Sequence, residues 1–291
     1  MKEFTILSPA KINLNLRVTC ALAGGMHEIE SVVQPVDIFD EVRIEMTGDS
    51  GVTLETNTPV CPPEENTAFT AAKLFFEKSG VRAGARIFLN KKIPAGAGLG
   101  GGSGNAAAVL VCLNRATGAF SSRALRELAR KTGSDVSLFI DCETCRVSGA
   151  GEKTEPLKQF PLLFYVVCFP GFPSQTADVY RKWDGLAASP ARAGGKKMWN
   201  ISPPLEMVND LESPAFALYP DLVRFCGRLE ADSGAAFRMT GSGSAFFSVF
   251  EDETNARAVF DIVNSGDFDC FLARGINGWK GKGGGEFASG L

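Results

Sequence analysis

The sequence predicts a mixed α/β protein in two halves, on three observations. Residues 4–19 place Ile12, Leu14, Leu16 and Val18 in alternation with Lys11, Asn13, Asn15 and Arg17, the period of a strand with one apolar and one polar face. Residues 93–118 run through a glycine-rich loop into an alanine-rich apolar stretch closed by Gly118, the pattern of a loop feeding a helix. After Gly149-Ala150-Gly151-Glu152 the pattern restarts with a fully apolar strand, Leu162–Phe169. The 291 residues leave room for two modest domains or one large one.

In chain order, Ser8-Pro9-Ala10 marks a bend in the first strand, so that Lys11, Asn13 and Asn15 share one face beyond it. That face is either solvated or presents one cation and two amides to a common pocket. Gly24–Ser31 is a turn into a second strand ending near Ile38, followed by strands at Asp40–Met46 and Val52–Thr56. A proline-rich loop, 61–66, leads into a helix over Thr67–Ser79 with Gly80 as its stop. Strand 85–89 delivers the glycine loop, whose helix is predicted over Asn105–Arg115, and a second helix covers Ser122–Thr132. Beyond the apolar strand, residues 185–200 read as a surface loop, 237–250 as a hairpin, and 253–264 as a helix before a short strand at 270–273. The glycine-rich stretch 278–291 reads as a disordered tail. The corresponding domains are 1–156 and 157–277.

Apolar content of 45%, charged content of 22% and a net charge of -3 are ordinary for a globular protein and give no basic track for nucleic acid. There is no apolar run of about eighteen residues and no signal-peptide pattern, so neither membrane nor export is expected, and the chain is placed in the cytoplasm. Eight cysteines are scattered, mostly in apolar segments, where a thiol behaves as a small hydrophobe. Cys142 and Cys145 have redox or zinc spacing, yet no second pair completes a site, and buried thiols are expected. With His27 the single histidine, triad hydrolysis and histidine-based metal sites have little material.

The chemistry concentrates at 96–102, where five of seven residues are glycine. Glycine reaches positive φ and lets main-chain N–H groups approach a ligand, and a helix N-terminus adds unpaired donors and the positive end of a dipole. Together they bind phosphate. The Walker pattern does not fit, since no lysine follows the glycines, and the dinucleotide fingerprint does not fit because its Rossmann context is missing. Asp135, between a Gly-Ser turn and an apolar segment, is either a helix N-cap or a functional acid.

Three stretches, Pro9–Leu16, Ile93–Ala107 and Met239–Ser244, together resemble the three motifs of the GHMP kinases. The stretches 27–37, 133–136, 149–153 and 208–212 narrow the resemblance to the branch acting on 4-diphosphocytidyl-2-C-methyl-D-erythritol. The resemblance covers about residues 4–275. It implies an α+β two-domain GHMP kinase fold: an N-terminal half like ribosomal protein S5 domain 2, a C-terminal ferredoxin-like half, and the active site in the cleft between them. It implies transfer of the γ-phosphate of ATP, with Mg²⁺, to a small alcohol linked to cytidine diphosphate, by a monomer or weak homodimer. Asp135 matches the catalytic aspartate and Lys11 its partner lysine.

The resemblance further assigns Asn66, Pro94, Gly96, Gly98, Leu99, Gly100, Gly101, Gly102, Ser103 and Asn105 to ATP, with Ser103 a candidate magnesium ligand. Gly104 stands where relatives commonly carry serine. Thr240, Gly241, Ser242 and Gly243 would back the loop. Asn13, Met26, His27, Thr176 and Tyr180 match substrate positions, with cytosine expected between His27 and Tyr180 and Met26 where the family usually has tyrosine. Two other readings are a GHMP kinase for a mevalonate derivative or homoserine, and a non-catalytic nucleotide-binding relative. The pair His27 and Tyr180 speaks against the first, and retention of both Lys11 and Asp135 against the second.

Overall fold

In the computed structural model, which describes residues 2–187 and 207–281, two sheets stand side by side with helices packed against them. The first is built on two very long strands, β1 (Glu3–Ala21) and β2 (His27–Thr47), paired antiparallel along their length. β3 (Gly51–Thr56) runs parallel to β4 (Gly84–Asn90), which pairs with β2. β5 (Cys145–Gly149) and β6 (Lys153–Pro156) extend the other end of β2. Four helices belong to this half: α1 (Thr67–Ser79), α2 (Gly101–Thr117), α3 (Ser122–Thr132) and α4 (Val136–Asp141).

The second sheet has the order β10-β7-β9-β8, all antiparallel, from β7 (Phe164–Phe169), β8 (Arg238–Met239), β9 (Phe246–Phe250) and β10 (Asp269–Arg274). Helices α5 (Thr176–Ala187), α6 (Glu212–Leu218), α7 (Pro220–Ser233) and α8 (Glu253–Val263) accompany it. One apolar cluster fills the space under α1 to α4 and continues into the second half. Another, with Ile12, Leu14, Val36, Leu99, Tyr165 and Phe247, joins the two sheets. Gln34, fully buried at that junction, donates to Thr144 Oγ1 and the Pro161 carbonyl and accepts from Leu163 N and Tyr165 Oη. A buried amide with its donors and acceptors paired fixes the docking of the halves.

The structure revises several expectations. The predicted strands on either side of residue 39 are one strand, because the register against β1 jumps between Pro9 (opposite Phe39) and Ala10 (opposite Val36). The bulge, which absorbs the extra residues 37 and 38, bends β2 without ending it. Helix α2 starts at Gly101, four residues before the predicted start, because glycine is tolerated in a first turn whose N–H groups lack helical partners. The predicted tail is ordered over 278–281: Trp279 is buried, its indole N–H donates to the Ile140 carbonyl at 3.2 Å, and β11 (Lys280–Gly281) pairs with Ile6 and Leu7. Glycine-rich composition concealed this short anchor. Most of the predicted 185–200 loop, and residues 282–291 of the tail, lie outside the described residues. Cys142 and Cys145 are both buried, and burial pushes the Cys142 thiol up and the Cys145 thiol up to about 12, which leaves them unreactive.

Candidate active site

A cleft of about 840 Å³ runs between the halves, with the glycine loop on one side, α5 on the other and β1 as its floor. The predicted residues gather there, in different layers.

Lys11 lies in the bulged middle of β1. It is buried, and its Nζ donates to Asn13 Oδ1 and to the Gly98 carbonyl at 2.6 Å. The supposedly polar face of β1 is therefore an internal one: Lys11 and Asn13 line the cleft, whereas Asn15 is buried away from it, its Oδ1 accepting from Val32 N at 2.8 Å. Burial lowers the Lys11 pKa, and the negative charge of Asp135 opposes that shift. Asp135 stands at the start of α4, but its side chain makes no capping hydrogen bond and instead lines the cleft. The N-cap reading thus describes its backbone position and not a hydrogen bond of its carboxylate. Its field also reaches Tyr180, whose hydroxyl is pushed up first by burial and then by Asp135.

The glycine loop is held from below and behind. Gly96, Gly98 and Gly100 have φ of 66°, 76° and 71°, whereas Gly101 is the first helical residue. At Gly101 the constraint is therefore space and not φ, since a Cβ there would come within 3.0 Å of Ile93 Cγ2 and 3.2 Å of Lys91 Nζ. Gly104 is similarly confined, because Ser8 Oγ and the Pro9 carbonyl occupy the volume a Cβ would need, at 2.8 and 2.9 Å. That packing is the local reason a serine is not accommodated at this position.

Thr240 and Gly243 sit behind the loop, where a Cβ on Gly98 would meet their carbonyl oxygens at 2.3 and 2.9 Å. Gly241 and Ser242 reach the cleft surface. Thr240 Oγ1 accepts from Asn13 N, and Ala245 N donates to the Ala97 carbonyl, so the turn, the loop and β1 form one block. Pro94, Leu99, Gly102 and Ser103 line the cleft. Asn66 does so too while its Oδ1 caps α1 by accepting from Ala68 N at 2.9 Å. Asn105 is buried, and its amide donates to Asp40 at 3.0 Å, so it braces the loop from beneath.

At the far end, His27 and Tyr180 stack directly, with ring centroids 4.6 Å apart and planes 28° apart. The expectation of a base between these two rings is therefore corrected: rings in contact leave no slot for a third. Met26 lies beside them, 55% exposed. Thr176 Oγ1 is 2.8 Å from Ser242 Oγ across the cleft floor.

Four contributors were not singled out from the sequence. Asp40 is fully buried; it pairs with Lys91 and accepts from Lys92 N at 2.6 Å and Ile93 N at 2.9 Å, anchoring the entrance to the glycine loop. Ser31 accepts from Asn13 Nδ2. Asn209 donates to the carbonyls of Met239 and Gly241. Asp184 pairs with His27. The one available signal was a polar residue interrupting an apolar strand pattern, as at Asp40. For Asp184, on an exposed helical position, there was none.

Residues 66–142 match the family profile described as "GHMP kinases N terminal domain", and residues 197–267 match "GHMP kinases C terminal". A protein of Pelotomaculum thermopropionicum named 4-diphosphocytidyl-2-C-methyl-D-erythritol kinase is 36% identical over 284 residues, covering 94% of this chain and 98% of its own. This chain belongs to the GHMP kinases. A relative of the same name in Nitrosospira multiformis is 33% identical over 285 residues, 94% of this chain and 92% of its own. The crystal structure of a 4-(cytidine 5'-diphospho)-2C-methyl-D-erythritol kinase superposes with a TM-score of 0.74 at 34% identity, covering 94% of this chain and 100% of that one. A homoserine kinase from Cytophaga hutchinsonii, 17% identical with a TM-score of 0.65 over 95% of both chains, shares the fold. In this GHMP kinase the three motif stretches are the floor, the loop and the backing turn of one cleft.

Proposed function

We propose that the protein transfers the γ-phosphate of ATP to the 2-hydroxyl of 4-diphosphocytidyl-2-C-methyl-D-erythritol, in the non-mevalonate route to isoprenoid precursors. The two relatives above and the crystal structure at 34% identity are named as kinases of this compound. The observation that carries the reading is a single cleft with Lys11 and Asp135 between a phosphate-type glycine loop and an aromatic end. In the reaction Asp135 accepts the hydroxyl proton as the alcohol oxygen bonds to the γ-phosphorus, and ADP departs along the opposite bond. Lys11, held by Gly98 and Asn13, supplies positive charge to the developing alkoxide.

The N–H groups at the start of α2 face the nucleotide phosphates. Among the described residues no cluster of three acidic, histidine or cysteine side chains could hold a metal. Ser103, which lines the cleft, is the residue that would hold a magnesium ion arriving with ATP, and such an ion would neutralise phosphate charge. No helix among the described residues is long and apolar enough to cross a membrane. We place the reaction in the cytoplasm as part of the same proposal. The test is ATP consumption by the purified protein with the cytidyl alcohol, mevalonate or homoserine. Turnover with the first alone is expected, and turnover with another alcohol only would overturn the assignment.

A further inference from the structure

The imidazole of His27 is enclosed by one face of α5. Tyr180, Trp183 and Asp184 are spaced i, i+3 and i+4, so one helical face meets the ring from three directions. Tyr180 covers one face of the ring at 4.6 Å. Trp183 meets it at 5.5 Å with planes 87° apart, and Asp184 Oδ1 lies 2.7 Å from Nε2. The His27 side chain is 5% exposed and that of Asp184 is 44% exposed, so the carboxylate stays hydrated while it grips a buried ring.

An ionised carboxylate can only accept a hydrogen bond. Nε2 must therefore carry the proton whether the ring is neutral or charged, and in the neutral ring Nδ1 is the lone-pair nitrogen. We propose that Asp184 is a positioning residue for nucleobase selection: by holding His27 as the Nε2–H tautomer, it makes Nδ1 a hydrogen-bond acceptor for the exocyclic amino group of a 4-aminopyrimidine. This rests on the reading above, that a cytidyl group occupies this end of the cleft. Cytosine offers an N–H donor at position 4, where uracil offers a carbonyl oxygen. A lone pair facing that oxygen repels it, whereas the opposite tautomer would welcome it. Selectivity between the two bases thus depends on a carboxylate that need not touch either.

Because the chain has one histidine, ¹⁵N spectroscopy reports on this ring alone. The wild-type protein is expected to show a protonated, pyrrole-type Nε2 and a pyridine-type Nδ1. Asp184→Ala should give a tautomer mixture, and Asp184→Glu should restore the wild-type pattern. In parallel, kcat/KM is measured for the cytidine- and uridine-diphosphate-linked alcohols. Asp184→Ala should lower the cytidyl preference about tenfold, mainly through KM, with the KM for ATP unmoved and Asp184→Glu recovering the preference. A wild-type ring protonated at Nδ1 would overturn the proposal. So would an Asp184→Ala protein that keeps full base preference after its tautomer has changed. Should the wild type turn over neither nucleotide-linked alcohol, the functional reading fails and base selection with it, an outcome separable from the first because the spectrum reports the tautomer without substrate.

Discussion

Gly98→Ala is the substitution that most directly asks whether the glycine loop is a wedged structural part or loose punctuation. Gly98 has φ +76°, a region costing a side chain about 1–2 kcal/mol. Its Cβ would also lie 2.3 Å from the Thr240 carbonyl oxygen and 2.9 Å from that of Gly243, so the loop or the turn must move by about an ångström. Overpacking of that kind typically costs about 1–3 kcal/mol. The sum is about 2–5 kcal/mol of unfolding free energy. The shift also pulls the Gly98 carbonyl away from Lys11 Nζ, which it accepts at 2.6 Å, so turnover should fall with ATP affinity. Gly102→Ala is the internal control: it has no positive φ, and a Cβ there meets only Thr67 Oγ1, at 3.4 Å. It should change stability by no more than about 0.5 kcal/mol. Urea unfolding of both variants without nucleotide, together with the KM for ATP, gives the answer. A Gly98→Ala protein as stable as Gly102→Ala, with wild-type ATP kinetics, would refute the wedge.

Asp135→Asn should cut turnover about 10²-fold or more while the KM for ATP stays put, because a general base contributes that much; steady-state kinetics check both numbers, and unchanged turnover removes Asp135 from the chemistry. Tyr180→Ala should raise the KM for the cytidyl substrate about tenfold, and Met26→Tyr should lower it, since an aromatic face at the cleft mouth contributes about 1–3 kcal/mol per stacked base. If neither substitution moves that KM, the aromatic end of the cleft does not hold the base. Trp279→Ala should destabilise the fold by about 3–5 kcal/mol, as expected for a buried indole. Thermal unfolding measures it, and a wild-type midpoint would mean the segment at 278–281 is not an anchor.

What could be read from the chain was what depends on neighbours in sequence. Alternation on β1 follows from a period of two, the end of α1 from the Gly80 stop, and the glycine loop from glycine density before a helix-forming run. Those are local conformational preferences, and they reach a few residues at most. The tertiary structure decided whatever depends on distant partners: which glycines are constrained by φ and which by space, because that turns on Thr240 and Ile93 and not on the loop's own composition. It also decided that the polar face of β1 is internal, since Gly98 and Thr240 arrive from 87 and 227 residues away to meet Lys11 and Asn13. Asp184 reaches His27 across 157 residues. No periodicity records such a pairing, because only the docking of the two halves brings α5 against the start of β2.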